Sequence, residues 1–156
     1  NELTRAETAT VIGRLAGVPV GDDDEFNSLW GISTPFSDVQ SGSWYANAVA
    51  WAAKAGVVTG YGDGTFAPDQ SITREQFALM LYRYAEKCGY DTTADAADLV
   101  ALPDASGVSD WAKTAVEWAV SKGFIGQGGV VDAQGTLTRG MAATIMVRYM
   151  DTFIVK

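Results

Sequence analysis

The sequence contains no histidine and a single cysteine, Cys88. Without an imidazole there is no Ser–His–Asp or Cys–His catalytic arrangement and no His–Cys zinc site. Cys88 has no partner for an internal disulfide. It follows Tyr84 and Ala85 on a helical face and precedes Gly89, a setting that predicts a packed thiol rather than a nucleophile. Basic side chains are also scarce: 11 Lys and Arg stand against 19 Asp and Glu, for a net charge of −8 and no basic cluster. Proteins that hold phosphate backbones need rows of Lys and Arg, so nucleic acid and anionic membrane surfaces are excluded as partners. No apolar run approaches the ~20 residues that span a bilayer. The chain starts at Asn1, and no signal-like stretch follows, so it reads as a piece of a longer protein that begins inside a repeat unit. Scarce cysteine suits an exported protein as well as a cytosolic one.

What is present is a globular composition, 47% hydrophobic and 19% charged over 156 residues, enough for one compact domain or two. It is also repetitive. Trp44-Tyr-Ala-Asn-Ala-Val-Ala-Trp51-Ala-Ala-Lys-Ala-Gly56 recurs 67 positions later (44 to 111, 51 to 118, 56 to 123) as Trp111-Ala-Lys-Thr-Ala-Val-Glu-Trp118-Ala-Val-Ser-Lys-Gly123. Upstream, Phe36-Ser-Asp38-Val39 matches Leu102-Pro-Asp104-Ala105. Downstream, Thr-Arg opens three apolar segments, at Thr4-Arg5, Thr73-Arg74 and Thr138-Arg139.

The unit therefore holds two helices. In the first, Trp44, Ala48, Trp51, Ala52 and Ala55 share one face. Trp51 and Trp118 read as core. Trp44 and Trp111, at helix starts near loops, suit either packing or stacking on sugar rings. Gly56 and Gly123 occupy the left-handed position that closes a helix. The second helices run from Thr4 to about Ala16, from Thr73 to Cys88, and from Thr138 to about Phe153. Thr is a good N-cap, and Thr4-Arg-Ala-Glu7 and Thr73-Arg-Glu-Gln76 are capping boxes, a pattern that Thr138-Arg-Gly-Met141 lacks. In the middle copy a turn-rich loop, Val57 to Asp69, carries Gly60, Gly62 and Gly64. The third copy shortens the span between helices from 17 positions (56 to 73) to 15 (123 to 138). Two acidic stretches, Gly21 to Glu25 and the run holding Asp91, Asp95 and Asp98, read as solvated linkers without calcium-loop spacing.

One recurrent residue resists a purely structural account. A helix N-terminus carries about half a positive charge and favours acids. Yet Arg5, Arg74 and Arg139 each follow a cap directly. Free N–H groups beside a guanidinium make an anion site, and Arg suits a carboxylate through paired bonds. The alternative is an ion pair with an Asp of a neighbouring copy, such as Asp38 or Asp104.

Phe36-Ser-Asp38-Val39, Trp44 to Ala52, Gly56-Val-Val-Thr-Gly60-Tyr-Gly-Asp63-Gly64-Thr-Phe66-Ala-Pro68 and Thr73-Arg74-Glu75 together resemble the S-layer homology motif. The middle copy, 36–89, matches nearly end to end. Residues 102–153 resemble a degenerate copy, and 1–20 the second half of another, with 21–35 and 90–101 as linkers of a single domain. The resemblance implies a mainly α fold, a pseudo-threefold spindle of helix–loop–helix repeats around a central helical bundle. It implies binding of an anionic secondary cell-wall polysaccharide, often pyruvylated, in grooves between motifs, and a place outside the cell on its wall or surface layer. It implies no enzyme activity and no cofactor. The family's ligand-contacting Arg falls on Arg74, Arg5 and Arg139, ranked here in that order because the third copy has lost its loop wording. Gly60, Asp63, Gly64 and Asp38, with Asp104, Trp44 and Trp111, are the remaining groove candidates. Two other readings stay open: a structural repeat that meets itself or S-layer neighbours without binding sugar, and an enzyme built on paired carboxylates, for which no motif fixes the pair.

Overall fold

A computed structural model describes residues 1–19, 21, 34–40 and 42–154. The acidic run at 22–25 and Trp30 lie outside the described residues. The fold is mainly helical. We number the helices α1 Arg5–Leu15, α2 Ala46–Lys54, α3 Arg74–Cys88, α4 Ala96–Val100, α5 Lys113–Ser121 and α6 Arg139–Phe153, with short 3-10 turns at Ala105–Gly107 and Asp110–Ala112. Extended pairing among the described residues is limited to three antiparallel bridges, Glu2–Thr138, Thr4–Ser71 and Thr73–Thr136.

The caps explain where the long helices start and stop. The hydroxyls of Thr4, Thr73 and Thr138 accept from the backbone N–H groups of Glu7, Gln76 and Met141. At Thr73 the box is reciprocal, with the Gln76 side chain accepting from the Thr73 N–H. Four helices end alike, each with a left-handed glycine (Gly17, Gly56, Gly89 and Gly123). The residue after each glycine donates back across the last turn: Val18 to Gly13, Val57 to Ala52, Tyr90 to Ala85 and Phe124 to Ala119, all at 2.8–2.9 Å. This is the Schellman closure, which satisfies carbonyls a helix end would otherwise strand.

The chain divides into two compact units. One comprises Thr4–Ser71, the other Asn1–Leu3 with Ile72–Lys156. In the first unit α1 packs on α2. Gly13 makes the approach close: a Cβ there would stand 3.4 Å from the Ala48 Cβ. On α2 the buried residues are Ala46, Asn47, Ala48, Val49, Ala50 and Ala52. The expected apolar face is thus displaced. α2 begins two residues after Trp44, Trp44 is 48% exposed, and Trp51 stays only partly buried.

In the second unit α3 and α4 pack on α5. Trp118 is fully buried, as expected, with its ring between Tyr82, Phe124, Tyr149 and Phe153 at centroid distances of 5.2–6.4 Å. Its indole N–H donates to the Asp91 carbonyl at 3.0 Å. The stretch read as a linker at 90–101 is therefore partly structured. It contains α4, capped by Asp95, and Asp91 pairs with Lys122 at 2.6 Å. Cys88 corrects another expectation: the residue is exposed rather than packed in the core, although its thiol lies against the Tyr84 and Tyr90 phenols. Residues 86–89 are all exposed, so α3 outlasts the elements that cover its apolar face, and Cys88 occupies the uncovered last turn.

One feature of this unit is made of main chain alone. The Leu3 N–H donates to the Leu137 carbonyl at 2.7 Å, Ile72 to Leu3 at 2.9 Å, and Leu137 to Ile72 at 3.3 Å. The three bonds close a ring. Each member lies two residues before an Arg-bearing helix start, so equivalent positions of three copies bond one another in turn.

Candidate functional site

The two helix starts at Arg5 and Arg74 are held by the same device. The Arg5 N–H donates to the Gln70 carbonyl and the Ala6 N–H to that of Pro68, at 2.9 and 3.0 Å. In the other unit the Arg74 N–H donates to Gly135 and the Glu75 N–H to Ala133, at 2.9 and 3.1 Å. Each Arg is thereby fixed against the loop of the following copy. Within those loops Ala67 and Asp132 are the non-glycine residues with positive φ, at 57° and 51°. A carboxylate grips each turn. Asp38 accepts from the N–H groups of Phe66 and Ala67 at 2.9 and 2.8 Å, and Asp104 accepts from Val131 and Asp132 at the same two distances. These bonds hold the Asp104 carboxyl below the usual carboxylate range. Asp38 and Asp104 therefore fasten the loops, and neither forms an ion pair with the arginines.

The Arg5 site is walled by aromatic rings. Its guanidinium lies 4.8 Å from the Tyr61 centroid and 4.7 Å from that of Phe66, within cation–π range. Its Nε donates to the Phe66 carbonyl at 2.8 Å. Arg5 is only 7% exposed, yet among the described residues no carboxylate comes within ion-pair distance of it and its Nη groups donate to no acceptor. Burial lowers its pKa, while Tyr61 and Asp38 act the other way. An Arg starting above 12 stays cationic, so the site holds a mostly desolvated positive charge.

The other predicted residues of that loop shape it. Gly60 is required: φ is 71°, and a Cβ would stand 2.5 Å from Phe36 Cε1 and 2.6 Å from the Thr65 carbonyl oxygen. Phe36 in turn stacks on Phe66 at 5.4 Å. The Asp63 carboxylate accepts from the Thr65 hydroxyl and N–H at 2.6 and 3.0 Å, and these bonds hold its pKa below the usual range. Gly64 has φ 85°, and its carbonyl accepts from the Ser37 N–H at 2.9 Å.

The Arg74 site departs from this pattern. Tyr61 and Phe66 give way to Gly126 and Val131 at the equivalent positions. The Arg74 Nη1 donates to Asp132 Oδ2 at 2.8 Å. The pair lies at one end of a cleft of about 350 Å³ whose walls include Phe124, Val130, Met141 and Arg148. Arg139 opens α6, and its N–H donates to the Asn1 carbonyl at 3.1 Å. Trp44 and Trp111 stand just before α2 and α5 and expose 48% and 55% of their surface. The residue that sequence reasoning missed is Asp132. Aligning backward from Thr138-Arg139 places it opposite Ala67 (138 − 132 = 73 − 67 = 6), but the shortened loop hid that register.

Among the described residues no helix is long and apolar enough to cross a membrane. Comparison with known proteins adds the family. A cellulosome-anchoring protein of Acetivibrio thermocellus is 36% identical over 126 residues, 80% of this chain and 26% of that protein. An amylopullulanase of Thermoanaerobacterium thermosulfurigenes is 35% identical over 158 residues, 96% of this chain and 8% of that enzyme. The S-layer protein sap of Bacillus anthracis is 30% identical over 148 residues, covering 94% and 16%. The chain thus spans about a quarter or less of these relatives. Residues 35–78 match the S-layer homology domain, and with these relatives, 30–36% identical over 80–96% of the chain, they show that the chain belongs to that family.

Proposed function

We propose that this chain is a non-catalytic module that anchors an exported bacterial protein to the cell wall by binding an anionic secondary cell-wall polysaccharide, with Arg5 as the principal contact. The observation that carries this reading is Arg5, nine-tenths buried, its guanidinium walled by two rings and in no ion pair with a carboxylate of the described residues. A buried cation without an ion-pair partner is costly even where rings and a carbonyl offset part of the charge, so such a site gains from an incoming anion. The chemistry suits a carboxylate on a sugar, as in a pyruvate ketal: Nη groups for the acid, ring faces for the pyranose. Exposed Trp44 and Trp111 offer further faces for sugar stacking. The relatives support the anchoring role, since a cellulosome-anchoring protein, an S-layer protein and an amylopullulanase are each similar to this segment.

The test is co-sedimentation with purified wall sacculi, with and without their non-peptidoglycan polysaccharide, for the wild type, Arg5→Ala and Arg5→Lys. Binding should require the polysaccharide, fall at least tenfold with Arg5→Ala (about 1.4 kcal/mol), and recover only partly with Lys, which lacks the planar fork. Helical circular dichroism must be retained. Undiminished binding by Arg5→Ala refutes the assignment. Equal binding to stripped sacculi refutes the polysaccharide as the ligand.

A further inference from the structure

Resting on that reading, we infer that Asp132 is a tethered surrogate for the ligand's acid group, closing the Arg74 site to anions and leaving the Arg5 site to bind them. The two sites are built from the same parts and differ at the decisive position. Opposite Arg5 the left-handed residue is Ala67, which offers no charge. Opposite Arg74 it is Asp132, whose carboxylate takes the guanidinium at 2.8 Å.

Three features aim that carboxylate. Asp accepts a left-handed φ more readily than most residues, so the turn costs little. The Asp132 N–H is clamped by Asp104 at 2.8 Å, which fixes the direction of its side chain. Gly135 makes room beneath the pair: a Cβ there would lie 2.3 Å from both Arg74 Nη1 and Asp132 Oδ2. The equivalent residue in the other loop is Gln70, whose Oε1 instead accepts from the Tyr61 hydroxyl at 2.5 Å.

The surrogate competes from a fixed position, at the high effective concentration of an intramolecular group. With Asp132 in place the Arg74 guanidinium already holds a carboxylate, and an incoming one must displace it. The side chain of Asp132 is 58% exposed, so the barrier is finite and the site is closed by competition rather than burial.

The experiment follows the arginine Nε–H signals of Arg5 and Arg74 by NMR, assigned through Arg→Lys variants. The probe is a methyl hexosaminide carrying a pyruvate ketal. It is titrated into the wild type, Asp132→Ala and Asp132→Asn, the last of which keeps the preference for positive φ. In the wild type the probe should shift the Arg5 signal at concentrations that leave that of Arg74 unmoved, and shift Arg74 only at higher ones. In both variants Arg74 should respond at about a tenfold lower concentration than in the wild type, equivalent to about 1.4 kcal/mol. An equal Arg74 response in wild type and variants, or none in the variants, overturns the inference. Silence at Arg5 in every protein instead refutes the Arg5 reading, and the Arg74 signal still decides the role of Asp132.

Discussion

Replacing Asp38 by Ala tests the loop architecture on which the Arg5 site depends. The substitution removes two bonds from a carboxylate to backbone N–H groups, those of Phe66 and Ala67. A hydrogen bond to a charged group contributes about 1.5–3 kcal/mol, and a buried donor left without an acceptor costs about 1–3 kcal/mol. Phe66 is fully buried, so its N–H has no ready replacement, whereas Asp38 itself is half-buried, which lowers the figure. Ala67 adds to the cost, because a left-handed alanine is disfavoured by about 1–2 kcal/mol and loses its restraint. We expect a net loss of about 3 kcal/mol. For a chain of this size that lowers the melting temperature by roughly 6–12 °C. The Phe66 carbonyl that holds Arg5 Nε belongs to the freed turn, so wall binding should weaken at temperatures where the protein is still folded. Thermal melts followed by far-ultraviolet circular dichroism give the first quantity, and co-sedimentation gives the second. Ala67→Gly in the same background should restore part of the stability by relieving the strained φ. A shift under about 2 °C with wall binding unchanged would refute the claim that Asp38 fastens this turn.

Two further outcomes are expected. Gly60→Ala should destabilise by at least about 2 kcal/mol, since the added methyl meets Phe36 and the Thr65 carbonyl at a backbone angle that alanine resists; an unchanged denaturant midpoint would count against it. Tyr149→Phe should stabilise by roughly 1 kcal/mol, because the buried Tyr149 hydroxyl has no partner among the described residues. Burial, and after it Cys88 and the Tyr84 and Tyr90 phenols, raises the Tyr149 pKa above the ordinary tyrosine value. Above pH ~10 the unfolded chain loses this proton while the folded chain keeps it, so stability falls as pH rises. The variant should show a shallower loss between pH 9 and 11, with the remainder carried by Tyr84, whose pKa is raised in the same direction.

What could be read in the sequence was whatever acts locally. The Thr N-caps and the left-handed Gly56 and Gly123 depend on neighbours in the chain and stand as expected, with the reciprocal capping box formed at Thr73. Trp118 was legible as core because its indole had a full apolar setting on the repeat face. Trp51 and Cys88 were misjudged because periodicity gives a face but not the extent of what covers it. Long-range polar geometry was the least visible. Asp38 and Asp104 were legible as recurring acids near the grooves, but their grip on the N–H groups of residues 27 to 29 positions away is not written in any local pattern. The Arg74–Asp132 pair spans 58 positions and lay in the one loop whose wording had drifted.

The ring through Leu3, Ile72 and Leu137 bears on that drift. Its three links are amide to carbonyl, so the register between copies is indifferent to which side chains the copies carry. A tandem array coupled in this way can lose the wording of one loop without losing alignment. Gly126 can stand where Tyr61 stands, and Asp132 where Ala67 stands, while the Arg5 and Arg74 starts remain pinned by main chain, each to the loop of the following copy. Duplicated motifs are thereby free to diverge, one loop at a time, on a scaffold that does not register the change.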